Sequence, residues 1–525
     1  MERTVCGIVA AYGDIDPEKC ERMLARIHHR GPDDTGRVHL EHAWLGHQRL
    51  SIMDVSGGKQ PIADDTDSAY VVGNGEIYNH EDIRDVLSEV RFATDSDTES
   101  AFRLVLRDGS AALHDLRGMF ALAMAHTDGR GAVARDPIGI KPLYWARRDG
   151  VTLFASELRA FDPEDQPLVE AFPPGHVWTP GLVGGAGDDY AVGAMVRFAD
   201  AVPVEVRPAR LAPDKQWTEE DLGHIRDVLS DSVRRHMMSD VPVGVFLSGG
   251  LDSAIVAAIA AKVAEEKGER LPTFAVGTEG SGDLLAARAV AEYLGTDHHE
   301  IVPTAEDLES ALDEAVTVIE HFDPALVRSA VPNLLLAREA VEHVKVVLTG
   351  EGADELFAGY EYVHSEEFST PDTLQAELVR SIEMLHELNL QRCDRATMNY
   401  GLEARVPFLD ATVMREMLAI PAEWKLKIHE RTEKQLLREA FDGMVPHDII
   451  WRGKEQFGDG SGAKDVLSAL VEKEKAKEGA QDAEHPTVEH GWALRSDEEV
   501  AYYRTWHRSF AGVRPDRTLG AFATA

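Results

Sequence analysis

Apolar and polar positions follow two different rhythms along this chain. In the first third, short apolar runs at 6–13 (CGIVAAYG), 43–47 (AWLGH), 70–74 (YVVGN), 120–126 (FALAMAH), 131–136 (GAVARD) and 151–156 (VTLFAS) alternate with turn-forming residues. Runs of this length, bounded by Gly, Asp and Asn, read as strands. The first has no polar alternation, so it is expected to be buried on both faces. Asp16 followed by Pro17 marks a helix start, which runs to about His29 and stops at Gly31-Pro32. Helical spacing interrupts the strands again near 81–90 and 98–108. The mixture predicts an α+β domain with antiparallel sheets.

A Gly-rich stretch from Gly181 to Gly193, then Pro203, Pro208 and Pro213, reads as a domain end and a linker. From about residue 219 the pattern changes. Helix 219–237, strand 241–247 (VPVGVFL), helix 253–266, strand 271–277 (LPTFAVG), helix 283–295, a strand at HHEIV and strand 344–350 (VKVVLTG) alternate. That order predicts a doubly wound, largely parallel α/β sheet. Beyond about residue 374 the chain reads as mostly helical. Two domains are expected, 6–205 and 215–525.

Composition narrows the class. The 525 residues include 92 acidic and 54 basic ones, a net charge of -38, which repels nucleic acid and anionic lipid. The acids are dispersed and Arg outnumbers Lys, a balance that suggests adaptation to high salt. No apolar run is long enough for a membrane span and the N-terminus lacks a signal-peptide pattern, so a cytoplasmic protein is expected. Cys6, Cys20 and Cys393 form no Cys-x-x-Cys pair. A zinc site or disulfide framework is not expected, and Cys20 and Cys393 read as buried free thiols.

The strongest single motif is Ser248-Gly249-Gly250-Leu251-Asp252-Ser253, between an apolar strand and a helix. Glycines let the backbone approach an anion, and a helix N-terminus presents free N–H groups to it. No Gly-Lys-[Ser/Thr] follows, so this is not a Walker loop. It resembles the pyrophosphate loop of the N-type ATP pyrophosphatases. Two further strand ends, Phe274–Gly277 and Thr349–Glu355, should converge on it. Acids beside a triphosphate call for a cation, and Mg²⁺ favours carboxylates with phosphates; Asp252, Asp354 and Glu355 are the candidate ligands.

In the first hundred residues Cys6-Gly7-Ile8, His29–Asp33, Arg49-Leu50-Ser51-Ile52, Asn74–Asn79 and Ser96–Glu99 occur in order. Together they resemble the N-terminal-nucleophile (class II) glutamine amidotransferases. With Met238–Pro242, Gly401–Asp410 and Lys454–Phe457 added, the chain resembles the glutamine-hydrolysing asparagine synthetases from Cys6 to about residue 515. The resemblance implies an N-terminal-nucleophile sandwich followed by an ATP-pyrophosphatase domain with a helical C-terminal part, with ATP and Mg²⁺ as cofactors. The substrates would be glutamine, aspartate and ATP, and a homodimer is the assembly considered.

Residue by residue, the resemblance makes Cys6 the nucleophile and Asn74 with the Gly75 N–H the oxyanion hole. Arg49, Leu50, Ser51, Ile52, Asn74, Gly75, Glu76 and Asp97 would bind glutamine, Arg49 taking its carboxylate and Asp97 its ammonium group. Leu247, Ser248, Gly249, Gly250, Asp252, Ser253, Val276, Thr349, Gly350 and Lys454 would contact the nucleotide. Glu351 would support the acyl-adenylate. Arg328 is a candidate for the synthetase site and Met119 for the wall of an ammonia tunnel. His29 and His47 read as structural.

The family base is the nucleophile's own α-amino group, whereas five residues precede Cys6. The expectation is that the active form begins at Cys6. Two alternatives stay open from the residues: a synthetase using free ammonia beside an inactive first domain, or a related amidotransferase acting on another carboxylate.

Overall fold

The structure, a computed structural model, describes residues 6–31, 33–181, 192–203, 216–426, 432–453 and 486–522. Its first half contains strands β1 (Gly7–Gly13), β2 (Asp34–His39), β3 (Ala43–Arg49), β4 (Ile62–Ala63), β5 (Ala69–Ile77), β6 (Gly118–His126), β7 (Gly131–Arg135), β8 (Tyr144–Arg148), β9 (Val151–Ala155), β10 (Glu170–Ala171), β11 (His176–Thr179) and β12 (Ala194–Arg197). They form two antiparallel sheets, ordered β10-β8-β9-β1-β3-β2 and β12-β11-β7-β6-β5-β4.

Period-2 geometry explains the layering. On β1, Ile8, Ala10 and Tyr12 meet Val72, Phe154 and Trp178 between the sheets. Val9 and Ala11 face the other way, onto Met23, Leu24 and Ile27. On the second sheet Val71 packs outward against Phe102 and Leu104 of helix Asp97–Asp108. The result is a four-layer sandwich with helices outside. Helix Pro17–Arg26 begins as the sequence predicts, with the Asp16 carboxylate accepting from the Glu18 N–H at 2.9 Å. It ends earlier than expected. The chain tightens into the turn His28–Arg30, and the buried Arg30 guanidinium then donates to the Cys6 carbonyl at 3.1 Å.

The second half carries β13 (Val243–Phe246), β14 (Pro272–Val276), β15 (Asp297–Ile301), β16 (Val346–Leu348) and β17 (Glu403–Arg405), all parallel, in the order β15-β14-β13-β16-β17. Helices cover both faces: Leu251–Glu266 and Glu219–His236 on one, Pro324–Ala340 on the other. The edge strand β17 falls in the segment expected to be helical. Two of its three residues are charged, so no apolar pattern announces it.

The halves meet along an apolar seam and a buried ionic chain. Met119, Tyr78, Ile138 and Ile140 of the sandwich pack with Val233, Leu348 and Val406. Beside them Arg30 pairs with Glu157 and Asp394 (both 2.8 Å), Lys141 with Glu403 (3.2 Å), Arg405 with Glu76 (3.2 Å) and Arg117 with Asp410 (3.0 Å). Buried pairs add little net stability but fix geometry, because losing one partner strands the other charge. Cys20 and Cys393 are buried free thiols, as expected. Among the described residues no helix is long and apolar enough to cross a membrane.

Lys425 is a different case. It is fully buried and among the described residues its Nζ has no hydrogen-bond partner, and burial pulls its pKa down to about 7. The unfolded chain keeps that proton to about pH 10.4. Between these values the unfolded state binds more protons, so stability rises with pH across that window. Lys425→Met is therefore expected to raise the melting temperature. Thermal unfolding should show a larger gain near pH 6.5 (~6.5) than near pH 9 (~9).

Candidate functional site

Two sites emerge, one in each half. In the first, Cys6 lies at the entrance to β1, and its Sγ accepts from the Leu50 N–H at 3.3 Å. Burial pushes the thiol up to about 12, with Glu403 and Glu76 adding to the effect against the Leu50 hydrogen bond and Lys141. A thiol so placed is neutral near pH 7 (~7) and needs a base at the sulfur before it can attack.

Asn74 is fully buried, and among the described residues neither its Oδ1 nor its Nδ2 has a hydrogen-bond partner. Buried amides are almost always paired, so this one fits a polar group from a ligand. Gly75 has φ +132°, and a Cβ there would lie 1.9 Å from the Met119 carbonyl oxygen. Only glycine is accommodated. This close approach also ties strand β5 to Met119, which is buried in the seam between the halves.

Asp97 accepts from the Ile77 N–H at 2.6 Å. Burial raises both Asp97 and Glu76, and each carboxyl suffers from acidic neighbours. Arg405 lies 3.2 Å from Glu76 and offsets part of its charge, so Asp97 is the carboxyl of the two that suits an incoming ammonium group. Arg49 is buried, with its guanidinium held by the carbonyls of Met53 (3.4 Å), Asp54 (2.7 Å) and Val55 (3.1 Å). Among the described residues it pairs with no carboxylate, which leaves its charge for a ligand. Ser51 N–H donates to Asp33, and the Ile52 carbonyl accepts from Asp240 N–H of the other half.

In the second half the three expected loops do converge. Leu247–Ser253, Phe274–Val276 and Thr349–Asp354 line one cavity of about 370 Å³, with Arg328 and Arg392 on its wall. That volume lies in the range of small-molecule sites. The loop is shaped by its glycines. Gly249 has φ +77°, and a Cβ would meet the Asp283 carbonyl at 2.4 Å; one on Gly350 would meet Asp252 Cβ at 2.8 Å. Ser253 Oγ donates to the Gly250 carbonyl and accepts from the Ser248 N–H. Gly250 caps helix Leu251–Glu266, and among the described residues no side chain caps its first turn.

Sequence reasoning missed Lys434. Its Nζ bridges Asp252 Oδ2 and Asp354 Oδ1, each at 2.6 Å. Burial opposes its charge, but the two carboxylates outweigh burial and hold the ammonium protonated. Gly359 makes room for this bridge, since a Cβ there would clash with Asp354 Oδ1 at 2.0 Å. Nothing local marks Lys434, which lies in an ordinary polar stretch.

Of the three candidate cation ligands, Asp252 and Asp354 are bridged by Lys434 in this structure. Among the described residues the only such group with ligand atoms within 4.8 Å of one another is Asp162, Glu164 and Asp165, in the first half. Lys434 fills the space between Asp252 and Asp354. Glu355 instead accepts from the Tyr360 hydroxyl, and burial followed by Asp354 raises its carboxyl to about 7.

Glu351 pairs with Arg392, a partner not seen in the sequence, and Arg328 donates to Glu498 at 2.9 Å. Lys454 lies outside the described residues.

Comparison with known proteins agrees with this two-site layout. The profile of the glutamine amidotransferase domain family matches residues 5–172, and that of asparagine synthase matches 224–374 and 364–498. Asparagine synthetase [glutamine-hydrolyzing] 2 of Arabidopsis thaliana is 37% identical over 479 residues, covering 87% of this chain and 79% of its own length. Asparagine synthetase [glutamine-hydrolyzing] 2 of Oryza sativa subsp. japonica is 36% identical over 529 residues, 96% of this chain and 85% of its own. The Sandersonia aurantiaca asparagine synthetase [glutamine-hydrolyzing] is 37% identical over 486 residues, 87% of each.

Proposed function

This chain belongs to the glutamine-hydrolysing asparagine synthetases, and we propose that the Cys6 site and the Ser248–Ser253 cavity divide that reaction between them. At the first, the thiol adds to the glutamine side-chain carbonyl, giving a thioester and releasing ammonia. Arg49 takes the substrate carboxylate, and Asp97, beside Glu76, takes the ammonium group. The observation that carries this reading is the buried, unpaired Asn74 amide beside the Gly75 N–H, a ready donor set for the oxyanion. Asn74→Ala is expected to lower glutamine hydrolysis about 10²–10³-fold. Steady-state glutaminase assays check it, and a loss under about threefold would contradict the role.

At the second site the loop holds the ATP phosphates, and attack by the aspartate β-carboxylate on the α-phosphorus gives an acyl-adenylate and pyrophosphate. Glu351 with Arg392 lines the place where that adduct meets ammonia. Asp252 and Asp354 carry two negative charges against the single Lys434 ammonium, so a bound triphosphate leaves excess negative charge. The donor set fits Mg²⁺, which Asp252 and Asp354 would hold, and which neutralises phosphate charge when bound. The Met119 seam supplies an apolar path for ammonia between the sites. We take the domains as 6–205 and 215–525, since the two profile matches, 5–172 and 224–498, fall on opposite sides of the 206–214 boundary.

The acidic surface suits a salt-rich interior. At a net charge of -38, self-repulsion destabilises the fold at low ionic strength and screening relieves it. The melting temperature is expected to rise from dilute buffer to molar KCl. A flat response would remove the salt-adaptation reading and leave the enzymatic one untouched.

A further inference from the structure

One residue touches both sites. Arg405 is fully buried on the edge strand β17. Its guanidinium ion-pairs with Glu76 of the glutamine site at 3.2 Å and with Glu403 at 2.9 Å. It also donates to the carbonyls of His236 (2.7 Å) and Met238 (2.6 Å), which end helix Glu219–His236. Its backbone carbonyl accepts from the Thr349 N–H at 3.0 Å, where β16 opens into the nucleotide loop. The register pairs Arg405 with Leu348, so Thr349–Gly350–Glu351 follows directly from this contact.

Glu76 is the responsive end of this link. One carboxylate oxygen faces Arg405, while Oε2 is buried and among the described residues has no hydrogen-bond partner. Asp97 raises the cost of its charge. A shift of Arg405 by a fraction of an ångström changes the charge that Glu76 sets beside Asp97 for a substrate ammonium group. Packed interiors transmit such shifts because they do not deform smoothly.

We propose that Arg405 is a positioning residue shared by both active sites, setting Glu76 for glutamine with its side chain and the Thr349 loop for nucleotide with its backbone. The proposal rests on the reading of Glu76 as a glutamine-site residue. Its consequence is reciprocal: nucleotide changes glutamine affinity, and glutamine changes nucleotide affinity by the same factor.

The test uses the full-length Cys6→Ala protein, which leaves glutamine intact, with α,β-methylene-ATP and Mg²⁺ as the unreactive nucleotide. Calorimetric titration of glutamine with and without the analogue, and of the analogue with and without glutamine, should give one common factor of about fivefold or more. Adding Arg405→Lys, which keeps charge but loses the forked geometry, should bring that factor to within about twofold of unity. A purely structural role would lower the melting temperature and leave the factor unchanged. Should the Lys variant fail to fold, Glu76→Gln in the same background, measured by the analogue's affinity, answers the same question. Absence of any mutual effect in Cys6→Ala, or its persistence in Arg405→Lys, would overturn the proposal. Either result, with glutamine-dependent synthesis intact in the unmutated protein, leaves the proposed function standing.

Discussion

Cys6→Ala should abolish glutamine-dependent asparagine formation, by about 10³-fold or more, while ammonium-dependent formation stays within about twofold of the parent. The asymmetry follows from the layout. The thiol is not among the residues lining the Ser248–Ser253 cavity, which come from the second half. Alanine at this half-buried position removes one sulfur and leaves the Leu50 turn in place. The same account explains how the thiol works at all. With burial and two nearby carboxylates holding the thiol at about 12, hydroxide or bulk water is a poor activator at neutral pH. On the proposed reading the α-amino group of Cys6 itself, with an ordinary pKa of about 7.7–8, would act as the base. Mass spectrometry of the glutamine-active form should therefore find Cys6 as its first residue. Equal loss of both activities in Cys6→Ala would mean that the first half supports synthesis structurally and does not feed it.

Glu351→Gln should remove synthesis with either nitrogen donor, again by about 10³-fold or more, with glutamine hydrolysis retained. Both donors pass through the same acyl-adenylate, so a defect there cannot be bypassed. The amide keeps an oxygen for Arg392 and nearly the same volume, so the fold is expected to survive. What disappears is the negative charge that offsets the buried Arg392 guanidinium and can take a proton as ammonia adds. Rates with ammonium and with glutamine, measured beside glutaminase activity, separate the steps. Retained ammonium-dependent synthesis would take Glu351 out of the reaction.

The parts of this architecture that were legible in the sequence are those encoded locally. The unbroken apolar run of β1 announces burial on both faces, and Asp16-Pro17 announces a helix start. Ser248–Ser253 announces a tight strand-to-helix loop because its glycines and hydroxyls are needed within six consecutive positions. The illegible parts depend on pairing across the chain. Arg30 lies in a recognised motif, but its partner Asp394 is 364 positions away. Glu403–Arg405 forms a strand because its charges are met by Lys141 and Glu76 from the other half, which no periodicity can show. Lys434 enters the cavity from a residue with φ 55°, and the acidic loop alone suggested three metal ligands where the fold places an ammonium between two of them.

The central claim is that one chain takes nitrogen from glutamine and spends ATP by cleavage at the α-phosphorus to amidate aspartate. Incubating the purified protein with aspartate, ATP-Mg²⁺ and glutamine isotopically labelled in its amide nitrogen, then identifying nucleotide and amino-acid products, tests it directly. The account predicts labelled asparagine with AMP and pyrophosphate in equal amounts. Formation of ADP and phosphate in their place would contradict it.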